Sequence, residues 1–138
     1  MRSDIVRKWL LVLVSGMAIV LLSACGGSSK KDEGTQEVID KIIESETRID
    51  NNTLNSGDER YSYTEDDFSF LIYYDSDTKL YLVDSWVPFK GEPNRFNTKY
   101  QVNLFKDKLQ TYQIDSLFDD DKQSGNYEVV YKSGQFAD

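Results

Sequence analysis

The chain has no histidine, one cysteine and two prolines in 138 residues. Without histidine there is no Ser-His-Asp or Cys-His catalysis, no imidazole general base and no ordinary catalytic zinc site. A single cysteine cannot close an internal disulfide. No glycine-rich phosphate loop of the nucleotide-binding kinds occurs either. Carboxylate chemistry is what remains, at Glu65-Asp66-Asp67 and at Asp119 to Asp121. A glycosidase needs two carboxylates roughly 5–10 Å apart across a sugar cleft, which neighbours on one turn seldom supply. Asp75-Ser76-Asp77-Thr78-Lys79 begins like a calcium loop. Lys79, Leu80 and Trp86 then stand where an oxygen ligand, a glycine and a glutamate are needed, so the segment reads as a polar hairpin tip. The sequence therefore implies no metal and no cofactor, and an enzyme is the weakest of its readings.

What the chain does have begins with Arg2, Arg7 and Lys8 against Asp4, followed by an apolar run from Trp9 to Leu22 broken only by Ser15 and Gly16. As a helix this run is roughly 21 Å long, short of the roughly 30 Å bilayer core. A positive start, a short apolar stretch and small residues at its end read as a secretory signal over residues 1–24. Residues 25–34, "CGGSSKKDEG", are small and polar. They read as a flexible tether with a reach of roughly 17 Å. Residues 35–138 are then one domain.

Leu22-Ser23-Ala24-Cys25 resembles the bacterial lipobox. In that family a lipid is attached to the cysteine thiol and a peptidase cuts before it. The resemblance implies that Cys25 becomes a lipidated, palmitate-bearing N-terminus on the extracytoplasmic face of the cell membrane. Two or more acyl chains suffice for stable anchoring. Lipidation also consumes the sole thiol. Removing the leader, with its three basic residues and one acidic residue, leaves 114 residues with 13 basic and 23 acidic side chains, a net charge of −10. Such a balance speaks against nucleic acid, whose binding rests on Lys and Arg neutralising phosphates, and gives no overall attraction to an anionic membrane. The lipid is then what holds the chain to the membrane, and a basic protein partner is permitted.

Within the domain, Val38, Ile39, Ile42 and Ile43 recur at helical spacing and predict an amphipathic helix from Thr35 to Ile49, with Thr35 as its N-cap. "FSFLIYYD" and "LYLVDSWV" around "SDTK" predict a hairpin. Symmetry about Asp77 sets Tyr74 against Leu80, Ile72 against Leu82 and Phe68 against Trp86. Tyr73, Tyr81, Leu71 and Val83 then share the opposite face, although a one-residue slip exchanges the faces of one strand. "RYSYT" at Arg60 to Thr64 reads as a short edge strand, and "NYEVVYK" at Asn126 to Lys132 as another strand. Pro88 to Asn97, with both prolines, reads as a loop. The stretch Lys99 to Asp115 fits both a helical and an alternating pattern; its β-branched and aromatic content favours two strands joined near Asp107. Asp115 to Gly125 reads as a mobile acidic loop.

The expected fold class is α+β, one N-terminal helix packed on an antiparallel sheet of four to six strands. A lipobox, a short polar tether, an amphipathic helix with the acidic stretch "EVIDKIIESE" and then aromatic strands resemble the cystatin-like lipoproteins of Gram-positive bacteria. The inhibitory motif of true cystatins is not seen, so protease inhibition does not carry over. Small lipoproteins of this appearance serve in immunity against toxins or in exclusion of conjugative or phage machinery. The leading expectation is a non-catalytic protein-binding module. The alternative is a binder of a small molecule or cell-wall ligand on the Tyr73 and Tyr81 face. Trp86 and Phe89, in the proline-stiffened "WVPFK", either anchor an interface or close the end of a small core.

Overall fold

A computed structural model describes residues 31–138 of the chain. The leader, the lipobox, Cys25 and the tether up to residue 30 lie outside the described residues. Helix α1 spans Glu33–Asn52. Its N-cap is Asp32, not Thr35: the Asp32 carboxylate accepts the Thr35 amide at 2.7 Å, and Thr35 is buried in the first turn. Glu33 and Gly34, which the sequence reading gave to the tether, are thus helical. Val38, Ile39 and Ile42 are fully buried and Ile43 half-buried on the same stripe. At about 1.5–3 kcal/mol for each fully buried aliphatic side chain, this stripe is what fixes the helix to the sheet.

Five strands follow: β1 Ser69–Asp75, β2 Leu80–Phe89, β3 Glu92–Asn103, β4 Lys108–Thr111 and β5 Tyr127–Lys132. All pairings are antiparallel, in the spatial order β4-β3-β2-β1-β5. The expected α+β arrangement is the one observed. Residues 99–114 do form two strands, joined by a turn in which Asp107 takes a positive φ of 49°.

The first hairpin differs from expectation by one residue. Tyr74 pairs with Tyr81, Ile72 with Val83 and Ser69 with Trp86. The cause is Asp75, whose carboxylate accepts the amides of Asp77 at 2.8 Å and Thr78 at 3.2 Å. This side-chain cap closes a four-residue turn ending at Lys79, with φ 60°, where symmetry about Asp77 requires an odd-numbered one. The slip places Phe70, Ile72, Tyr81, Val83, Tyr100 and Val102 together under α1 as the core. Tyr73 and Tyr81 therefore lie on opposite faces.

Pro88 to Asn97 is not a loop but the end of a long hairpin. Both prolines lie where the ladder breaks register: Val87 pairs with Phe96 and Phe89 with Glu92, so Pro88 and Pro93 have no pairing partner to fail. Arg60 to Thr64 is not a strand. Tyr61 spends its backbone on the Asn51 side chain, donating its amide to Oδ1 at 2.7 Å and accepting Nδ2 at 3.0 Å.

Asp115 to Gly125 is not a loop either; Asp115–Ser124 is helix α2. Because β4 and β5 are opposite edges of the sheet, the connection must cross four strand spacings, about 19 Å. Phe118, 1% exposed, pins the crossing against Tyr73 and Tyr112 on the face away from α1, with ring centroids 6.5 Å and 5.4 Å away.

Candidate functional site

The apolar stripe of α1 continues at four-residue steps from Ile42 to Glu46 and Asp50, so two carboxylates face inward. Burial pushes the Glu46 carboxyl above its ordinary range, and it accepts the phenol of the buried Tyr100. Asp50 is only 3% exposed. Its Oδ2 accepts the Tyr63 hydroxyl at 2.5 Å and the Lys90 backbone amide at 3.1 Å. The Tyr63 oxygen in turn accepts the Gly91 amide at 3.0 Å. Burial, then the adjacent Asp50 carboxylate, push this phenol up to about 12, so it remains a donor at any physiological pH.

These bonds tie the tip of the β2–β3 hairpin to the end of the helix. Lys90 and Gly91 form the turn with φ of 50° and 83°, two successive left-handed residues as a tight hairpin of this hand requires. Gly91 also passes close to Tyr61: a Cβ there would lie 3.3 Å from the Tyr61 ring. Tyr61 and Tyr63 stack at 5.7 Å, backing the tip from behind.

The brace carries two exposed aromatics. Phe89 and Phe96 are 37% and 50% exposed and meet edge to face at 5.1 Å. Lys90 Nζ lies 5.3 Å from the centre of the Phe89 ring, and Arg95 pairs with Glu92 at 3.3 Å. An apolar pair framed by charges thus stands on a turn whose backbone amides are hydrogen-bonded to Asp50 and Tyr63.

The four binding residues named from the sequence do not form one surface. Phe89 is on this tip. Trp86, half-buried, sits opposite Asn97 on the other face, alongside Tyr73 and Leu71. Tyr73 is half-covered by α2, with Lys122 Nζ 5.3 Å from its ring centre. Tyr81 is buried under the first turn of α1, where a side chain on Gly34 would collide with its hydroxyl. The brace itself was missed; its signal was the pair of acids at buried steps of an otherwise apolar stripe.

Several members of the carboxylate clusters are engaged in structural bonds. Glu65 holds Lys31 at 2.6 Å and accepts the Tyr131 hydroxyl at 2.7 Å. Asp67 caps the amide of Thr64 at 2.9 Å. Asp121 accepts the Tyr112 hydroxyl at 2.6 Å. Among the described residues no group of three or more His, Cys, Asp or Glu could hold a metal ion, and no helix is long and apolar enough to cross a membrane. Two open grooves of about 300 Å³ flank the helix. One is lined by Lys41, Glu44, Arg48 and Asp107, the other by Glu37, Tyr74, Tyr81 and Phe105. No protein-family model matches the chain, and no curated protein or solved structure matches it.

Proposed function

We propose that the chain is a protein-binding module anchored through a lipid on Cys25 at the extracytoplasmic face of the cell membrane, with the Phe89–Phe96 tip as its contact surface. The observation that carries the reading is the brace. Asp50, Tyr63 and the amides of Lys90 and Gly91 are linked by hydrogen bonds around a buried carboxylate, and the turn they hold carries a pair of exposed rings. A domain that only needed to fold would gain more by burying those rings, since an apolar patch left in water is a cost unless something covers it. Work as an immunity or exclusion factor fits such a device, because it requires only a folded domain, held at the membrane, that meets another protein.

The test is affinity capture from the native membrane with the full chain. The partner recovered by the wild type is expected to be lost with Phe89→Ser/Phe96→Ser, and to be reduced with Cys25→Ser, which leaves the tip intact but removes the anchor. Equal recovery by the tip variant contradicts the reading. Palmitate labelling lost in Cys25→Ser supports the anchor, and labelling that persists in that variant refutes it.

A further inference from the structure

The domain has a second exposed aromatic, at the other end of the strand that carries Phe96. Strand β3 has twelve residues and spans about 40 Å. At its start is the braced tip; beyond its end is the turn Leu104–Asp107, where Phe105 is 81% exposed, more than any other large apolar residue described. Three exposed lysines accompany it: Lys106 and Lys108 in and beside the turn, and Lys79, which with Phe105 lines the groove beside α1. The acid within the turn, Asp107, is engaged by Lys41 of α1. The acids nearby are Glu37, which lines the same groove, Glu44, which lines the adjoining groove with Asp107, and Asp77, which accepts the Asn126 side-chain amide at 2.7 Å. A chain of net charge −8 thus carries a turn in which, among the described residues, Lys106 and Lys108 form no ion pair.

The tether joins the domain near this end. Glu37, in the second turn of α1, lines the groove with Phe105, and Gly34 lies against Tyr81 of the same groove. Only six residues, Gly26 to Lys31, separate Cys25 from the helix cap at Asp32. A lipid on Cys25 would thus be a few residues in sequence from the first turn of α1, at the end of the domain where Glu37 and Phe105 share a groove. A ring that enters the interface while neighbouring lysines extend their ammonium groups to the phosphates is the usual chemistry of peripheral membrane contact.

We infer that the Phe105 turn, with Lys79, Lys106 and Lys108, rests on the phospholipid surface and so directs the Phe89–Phe96 tip away from the membrane. This rests on the lipid-anchored reading and adds an orientation to it. The experiment is amide hydrogen exchange on the full acylated chain, in phosphatidylcholine vesicles containing phosphatidylglycerol and in a nonionic detergent. Slower exchange at residues 104–109 in vesicles, with 89–97 unchanged, is expected. That protection is expected to be lost in Phe105→Ser/Lys106→Glu/Lys108→Glu, whose side chains are exposed and whose fold is therefore retained. Equal exchange at 104–109 in both media, while the chain stays with the vesicles, overturns the orientation and leaves the anchor standing. Protection at 89–97 instead overturns it in favour of the opposite orientation. A chain that takes no acyl label on Cys25 and does not float with vesicles overturns both.

Discussion

The carboxylate of Asp50, at the end of α1, accepts the backbone amide of Lys90, forty positions further along the chain, at 3.1 Å. The helix thereby sets the position of a hairpin turn that the sheet alone would leave projecting. Tyr63 completes the arrangement by donating to Asp50 and accepting from Gly91. Removing the Tyr63 hydroxyl leaves a buried acceptor and a turn amide each short of one partner. Tyr63→Phe is expected to lower stability by about 1–3 kcal/mol in urea titrations. It is also expected to speed exchange of the Lys90 and Gly91 amides selectively; unchanged exchange at those two amides would remove the brace from the account.

The exposed rings should behave differently from the brace beneath them. Phe89→Ala and Phe96→Ala each remove a partly exposed ring and one edge-to-face contact. The expected cost is about 0.5–1.5 kcal/mol per variant by thermal or urea unfolding. A loss as large as that of a core phenylalanine would show that the pair serves the fold and not a partner.

Phe118 is the buried residue that holds α2. Phe118→Ala is expected to cost about 3–5 kcal/mol. Because α2 has one buried side chain, its amides, that of Asp121 included, should exchange with the Tyr112 amide as a unit, ahead of β2 and β3. Exchange of α2 only through global unfolding would contradict this.

The pairing of Glu46 with Tyr100 predicts a particular pH dependence. Burial raises the Glu46 carboxyl in the fold above its unfolded value, so the native state holds its proton more tightly. The associated stability is fully present below the unfolded value, near 4.3, and is lost as pH rises through the raised one. Relative to Glu46→Gln, which cannot ionise, the wild type should therefore gain stability as pH falls from neutrality into the acid range. Parallel urea titrations at the two pH values check the sign. A gap between the two proteins that does not change with pH would place the ionised carboxylate comfortably in its site.

Much of this fold was legible because α1, β1, β2, the later half of β3, β4 and β5 carry helical or strand-like patterns of apolar residues. The failures trace to local effects that the periodicity of apolar residues does not carry. Asp75 set the turn length and so moved the register by one, which separated Tyr73 from Tyr81. Three successive acids around Phe118 hid a helix that buries one side chain. Two prolines signalled a loop, yet both sit in a register break within a hairpin. The β2–β3 tip was half legible: Phe89 stood out beside Pro88, while the brace required knowing that Asp50 and Tyr63 meet.

The most direct test of the central claim is photo-crosslinking in cells that express the full chain, with a benzophenone amino acid in place of Phe96 or, separately, of Phe105. The account predicts a discrete protein adduct from position 96 and none from position 105, where the group faces lipid. The absence of an adduct at 96, or the same adduct from both positions, would contradict it.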